Sequence, residues 1–385
     1  MAKDLALVLD VGTTSIKALV FDPERQVVAK SYRTISKHIS LGGGIVEQDP
    51  KEILNTAQTV LRETVRDTGL SIDNYLGLGL TNQRETTVVW DGHTGKPVYP
   101  AIVWEDRRTK SRCETLAKTH GQLVREHTGL PIDSYFSASK INWILNHIRT
   151  DNTNWLAGTV DTWLMWNLLD SQPHLTDFTN ASRTLLFNIK TKTWDEILLE
   201  LWQVPARLLP KVQHSLSLFG HLRPEVLGST LPVVAVCGDQ QASMYAAKQA
   251  GASTKVTYGT GTFVMAELGE EFKLQDGFFT TLTPTKTGFI YAHEAKIGAY
   301  AQRIDELLIR GKSLDQVVRE MTQATGQKLE QLSPTPNKII LDGGITQALT
   351  LLSAQQAANP NIQFVLQQPF DGTALGIAEM IFNQK

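Results

Sequence analysis

Cysteine is scarce: Cys113 and Cys237 are the only two in 385 residues. Two thiols cannot build a metal cluster by themselves, and reduced thiols in a cytoplasm are the plain reading. No uninterrupted apolar run approaches the ~20 residues that span a bilayer, and Asp4 stands where a signal peptide would be basic. A soluble, untargeted, cytoplasmic protein with no membrane partner is expected. Dense basic runs are missing too. With 37 Lys and Arg against 39 Asp and Glu, nucleic acid is disfavoured as a partner. The nine histidines show no metal-ligand spacing. Neither a Gly-x-Ser-x-Gly elbow nor a Gly-x-x-x-x-Gly-Lys-Ser/Thr loop is present, which removes the main support for hydrolase and P-loop readings. What remains is ordinary globular usage, 42% hydrophobic and 20% charged, in a chain long enough for two cored domains.

The apolar run Leu5-Ala6-Leu7-Val8-Leu9 ends at Asp10, Val11-Gly12-Thr13-Thr14 turns, and the stretch from Ile16 to Asp22 reads as a second strand. A hairpin therefore opens the chain. Asp49-Pro50-Lys51-Glu52 has the form of a helix start, with Ile53, Leu54, Ala57, Val60, Leu61 and Val65 following at helical spacing and Gly69 as a stop. Strand-like runs recur at 76–80, 86–90 and 101–104, and a helix is expected over 138–148. A new apolar strand, 231–236, then runs into Gly238-Asp239-Gln240-Gln241, followed by Lys255-Val256-Thr257-Tyr258-Gly259-Thr260-Gly261-Thr262. The opening plan recurs: apolar strand, terminal acid, Gly-Thr turn. That echo predicts two related α/β domains facing each other across a cleft, residues 1–230 and 231–385. In the second half, strands at 289–292 and 339–341 flank helices over 297–308 and 314–325. Ser313 with Gln316 opens the latter in capping-box spacing and Gly326 closes it. A strand at 364–366 and a helix at 373–382 finish the alternation.

Asp10 with Gly12, Thr13 and Thr14 is the first chemical candidate. Glycine lets a phosphate approach backbone N–H groups, hydroxyls add donors, and a strand-end carboxylate can hold hydrated magnesium. A hairpin turn using Asp and Gly for backbone reasons is the bland alternative, and Gly259-Thr260-Gly261 shares the ambiguity. Asp342-Gly343-Gly344 supplies a third glycine turn. Asp239, where an apolar strand gives way to a polar quartet, suits a general base in the cleft or, equally, a helix N-cap. Gln83-Arg84-Glu85 sets a donor fork beside an acceptor at a strand end, as a polyol binder needs; a structural ion pair is the alternative. Trp104-Glu105-Asp106-Arg107-Arg108 repeats the theme with an aromatic wall, though surface salt bridging suits most of its charges.

Taken together, several stretches resemble the FGGY carbohydrate kinase family, of the actin-like ATPase fold, and within it the branch acting on glycerol. They are Leu80-Thr81-Asn82-Gln83-Arg84-Glu85-Thr86-Thr87, Ile102-Val103-Trp104 through Arg108, Thr128-Gly129-Leu130-Pro131-Ile132-Asp133 with Tyr135-Phe136-Ser137, Gly158-Thr159-Val160-Asp161-Thr162-Trp163-Leu164, Thr179-Asn180-Ala181-Ser182-Arg183-Thr184, Gly238-Asp239-Gln240-Gln241-Ala242 and Thr257-Tyr258-Gly259-Thr260-Gly261. The resemblance implies two actin-like (ribonuclease H-like) domains across a catalytic cleft, the second reduced. It implies transfer of the γ-phosphate of ATP, with Mg²⁺, to a primary hydroxyl of a small polyol, glycerol first; another polyol or a ketose, or a catalytically weak binding relative, are the alternatives. By the same resemblance, Arg84, Glu85, Tyr135, Asp239 and Gln240 hold the hydroxyls, Trp104 and Phe278 form apolar walls, and Asp239 is the base. Asp10 takes the magnesium role, Thr13, Thr14 and Lys17 the first phosphate loop, and Gly259 with Thr260 the second. Gly298, Gln302, Gly343 and Gly344 fall on the adenosine side. Self-association is left open.

The sequence departs from the family pattern in four places. After Leu308 the family's Gly-Leu-Gly-Ala-Pro-Tyr-Trp segment is absent, and only 313–325 stands in for the long helix after it. Ala348 replaces the asparagine beyond the Asp-Gly-Gly turn, Val11 replaces the glutamine usual in the glycerol branch, and 224–232 offers no counterpart of a sugar-bisphosphate effector loop. Weaker ATP binding than in a full-length relative is expected.

Overall fold

The computed structural model describes residues 4–40, 44–148, 153–259, 261–298, 311, 313–347, 349–368 and 371–384. Leu5–Val11 and Ser15–Phe21 form the opening hairpin, fully buried along the first strand because both faces of its sheet are covered. Val27–Thr34 adds an antiparallel edge on one side. On the other side Tyr75–Asn82 and then Pro232–Gly238 run parallel, capped by the short Gly220–His221. The second six-stranded sheet is built the same way. Thr254–Tyr258 and Thr262–Gly269 form its hairpin, Phe289–Gly298 and Phe279–Pro284 extend the antiparallel side, and Lys338–Asp342 and Gln363–Leu366 lie parallel on the other. The topology repeats, but not through the predicted elements: the strand of the expected echo, Pro232–Gly238 leading into Asp239, belongs to the first sheet, and the second hairpin lacks the acid. A further five-stranded sheet, containing Thr87–Asp91 and Trp155–Thr159, completes the first half.

Helices fill the crossovers. Pro50–Thr68 starts where expected: the Asp49 side chain accepts from Lys51 N, and Gly69 ends the helix at φ +66°. Its counterpart, Leu314–Leu329, carries the Ser313/Gln316 capping box but runs past Gly326. That glycine is not a stop; it leaves room for Asn359, whose amide nitrogen would lie 3.1 Å from a Cβ. The expected helix over 297–308 starts too early, since strand pairing continues through Gly298, and its remainder lies outside the described residues. Lys110–Thr128, a 19-residue helix, was not anticipated, because only Cys113, Val124 and Thr128 on it are buried.

Two helices join the halves. Asp239–Gln249 follows Pro232–Gly238, and Gly372–Phe382 follows the last strand of the second sheet. They cross so closely that a Cβ on Gly376 would lie 1.8 Å from the Ala242 carbonyl. Their apolar faces close over Ala6, Val8, Leu19 and Phe21 of the first sheet. Pro232–Gly238, which opens the predicted 231–385 segment, is therefore a strand of the first sheet, and the chain's last helix returns to that sheet. Among the described residues no helix is long and apolar enough to cross a membrane.

Candidate active site

A cleft of about 620 Å³ opens between the two sheets. Asp10, Thr13, Thr14, Lys17, Arg84, Glu85, Trp104, Tyr135, Asp239, Gln240, Gly259, Gly343 and Gly344 all line it. Phe278 does not. It lies just before Phe279–Pro284, at the far edge of the second sheet, in that half's core and stacked on His293 at 5.3 Å. The apolar residue the second hairpin presents to the cleft is Phe263. Gly298 ends its strand opposite Thr262 and does not line the cleft; Thr260, Gln302 and Ala348 lie outside the described residues.

At one end the first hairpin places Asp10 directly opposite Lys17, so both side chains leave the same face of the sheet. Lys17 Nζ lies 2.9 Å from Asp10 Oδ2 and 2.7 Å from Asp371 Oδ2. Burial drives the Asp10 pKa upward against the pull of Lys17. For Lys17, burial works against its charge, but the two carboxylates outweigh it and raise its pKa. The turn itself is braced: Gly12 N–H donates to Ser15 O, and Gln48 Nε2 to Thr13 O at 2.8 Å. Trp104 Nε1 donates to Thr13 Oγ1 at 2.9 Å, tying the aromatic wall to this loop. Across the cleft, Gly343 at φ +95° comes so close to the second hairpin turn that a Cβ would sit 2.5 Å from Tyr258 O. Only glycine fits there.

At the other end Arg84 is held in ion pairs while also lining the cleft. Its Nη atoms meet Glu294 at 2.8 and 2.7 Å, while Nε lies 3.1 Å from Asp239 Oδ1. Glu85, at φ +62°, accepts from Arg183 Nε at 2.5 Å, and Arg183 Nη1 reaches Glu294 at 3.3 Å. Burial alone would raise the Glu294 pKa; Arg183 and Arg84 outweigh it and hold it at about 2. The network fixes the fork of Arg84 in the cleft wall, with Nε, Nη1 and Nη2 all partnered. Trp104 and Tyr135 stand edge to face at 5.5 Å beside it.

Asp239 lines the same cleft. It is the first residue of its helix, with Gly238 in the N-cap position, and its Oδ1 accepts from Gln240 N–H at 2.7 Å. Desolvation pushes its pKa up to about 6, with Arg84 pulling down and Glu85 pushing up. A carboxylate poised near neutrality beside hydrogen-bonding groups suits proton acceptance. Gln240 is anchored by the buried Lys255, whose Nζ donates to Gln240 Oε1 at 2.8 Å. Sequence reasoning assigned no role to Phe263, Arg183, Lys255, Glu294 and Asp371, and used Asp342 only as part of a glycine turn. Among the described residues the buried Asp342 Oδ1 has no hydrogen-bond partner, and no cluster of three metal-ligating side chains forms. The oxygen donors at this end, Asp10 and that orphaned atom, fit a hard cation that keeps most of its water and arrives with a phosphate ligand.

Two sheets of matching strand order around a cleft, one hairpin charged and the other glycine-turned, define a protein of the two-domain actin-like ATPase fold. The structure of Plasmodium falciparum glycerol kinase with ADP shares this fold, with a TM-score of 0.88, 24% identity, and coverage of 98% of this chain and 89% of that one. The FGGY family of carbohydrate kinases, N-terminal domain, matches residues 5–246, and the chain belongs to that family. Glycerol kinase of Alkaliphilus metalliredigens is 43% identical over 323 residues, which are 80% of this chain and 64% of that protein. Glycerol kinase 2 of Thermotoga maritima is 42% identical over 294 residues, 74% and 59% of the respective chains. This chain thus spans less than two thirds of the length of these curated relatives.

Proposed function

We propose that the protein transfers the γ-phosphoryl group of ATP to a primary hydroxyl of a small polyol, glycerol in the first place. One observation carries the reading: Asp239, paired with Arg84, lines one cleft together with polyol-suited groups (Arg84, Glu85, Trp104, Tyr135, Gln240) and phosphate-suited groups (Thr13, Thr14, Lys17, Gly259). The identity to glycerol kinases supports glycerol over ketoses. In this reading Arg84 and Glu85 orient the hydroxyls, while Trp104 and Phe263 cover the carbon chain. Asp239 accepts the proton of the attacking hydroxyl as its oxygen bonds to the γ-phosphorus. Lys17 and the amides of the two glycine turns balance phosphate charge, and Gly343 and Gly344 border the adenosine side. Mg²⁺, held through water near Asp10, would neutralise phosphate charge. Positioning and electrostatics do most of the work.

An ADP-release assay with Mg·ATP over glycerol, dihydroxyacetone, xylulose and ribulose tests the proposal. Glycerol-dependent release is expected. A clear ketopentose preference, or no release with any acceptor, would overturn it.

A further inference from the structure

Lys296 is a cation beside the polyol end that the mechanism above leaves unused, although it is not itself among the residues lining the cleft. It pairs directly with Phe263 across the antiparallel strands, so the two side chains share a face of the sheet. Its Nζ lies 4.4 Å from the centroid of the Trp104 ring and 5.2 Å from that of Tyr135. All three aromatic residues line the cleft. Among the described residues, the acids around Lys296 are already engaged: Glu85 by Arg183, Glu105 by Lys37, Asp133 by Arg107. Lys296 itself makes no ion pair among them. An ammonium held by ring faces is partly stripped of water yet can turn to an anion without breaking a salt bridge. Burial, and Arg107 after it, lower its pKa, the direction expected of a cation short of counter-charge.

We propose that Lys296 makes this end of the cleft a site for a short polyol carrying a carboxylate, a hydroxy acid of the glycerate class. The inference rests on the phosphoryl-transfer reading. The rings that hold the ammonium, Trp104 and Tyr135, line the cleft at the polyol end. Its ammonium therefore stands beside that end. The carboxylate of the acid meets Lys296, and the hydroxyl at its other end reaches Asp239. That oxygen attacks the γ-phosphorus, its proton passes to Asp239, the bond from γ-phosphorus to the β–γ bridging oxygen breaks, and ADP leaves with the electron pair.

The test is calorimetric titration of glycerol and of sodium D-glycerate into wild type, Lys296→Met and Lys296→Arg, followed by ADP release with each acceptor. Methionine keeps the packing on Trp104 and removes the charge. We expect glycerate to bind wild type, and its affinity relative to that of glycerol to fall by about tenfold or more in Lys296→Met. Lys296→Arg should recover most of it. Glycerol turnover without glycerate binding, or an unchanged relative affinity in Lys296→Met, overturns the inference alone. Lys296-dependent glycerate binding with no ADP release from either acceptor supports the site and overturns the transfer reading.

Discussion

The two hairpins differ most where they are most alike. In the first sheet Asp10 stands opposite Lys17; at the same place in the second, one residue before the end of the strand, Thr257 stands opposite Phe263. One scaffold position thus carries an ion pair in one half and a hydroxyl with an aromatic wall in the other. The helices that follow repeat the contrast. Asp239 begins one and meets Arg84, whereas Asp371 caps the other and meets Lys17. Duplicated topology sets where side chains enter the cleft, and substitution at matched positions divides the labour between phosphate and acceptor.

Glu294 ties the halves together, since it sits in the second sheet and neutralises Arg84 and Arg183 of the first half. Glu294→Ala would take the shared carboxylate from two buried guanidinium groups, leaving Arg84 only Asp239 and Arg183 only Glu85 as acid partners, and we expect a loss of about 3–5 kcal/mol in chemical unfolding. A loss under about 1 kcal/mol would show that the halves do not depend on this contact. Making the first hairpin as uncharged as the second, Lys17→Met should lower kcat/KM for ATP by about 10²-fold while leaving polyol affinity nearly unchanged. The reverse pattern is expected of Phe263→Ala: an increase of about tenfold in polyol KM with little change for ATP. If both variants affected both substrates equally, the division of labour would fail. The smallest effect is a pH dependence. Asp239 must be ionised to accept a proton and its pKa is raised to about 6, so kcat/KM should be flat above that value. Below it, activity should fall by about tenfold per pH unit. A profile flat down to pH 4.5 would exclude this role.

Local signals were legible in the sequence. The Asp49 cap, the opening hairpin and the Ser313/Gln316 box each depend on residues within a few positions of one another. What could not be read depends on distant pairing. Glu294 meets Arg84 across 210 positions, and Arg183 meets Glu85 across 98. Nothing local marks either partner. Phe278 and Phe263 are both apolar residues beside a strand, and only sheet order shows that one lies in a core and the other in the cleft. Pro232–Gly238 reads as the start of a new domain, yet its parallel partner is Tyr75–Asn82, far back in the chain. Gly326 looks like a helix stop until Asn359 is seen against it.

The account turns on Asp239 as the base in the cleft. The most direct measurement compares glycerol-dependent ADP release and glycerol binding in wild type and Asp239→Asn, an isosteric change that keeps a hydrogen-bonding group near Arg84. We predict a fall in kcat of about 10³-fold with glycerol binding within about tenfold of wild type. Release within about tenfold of wild type in the variant, or release in wild type that does not depend on a polyol, would contradict the account.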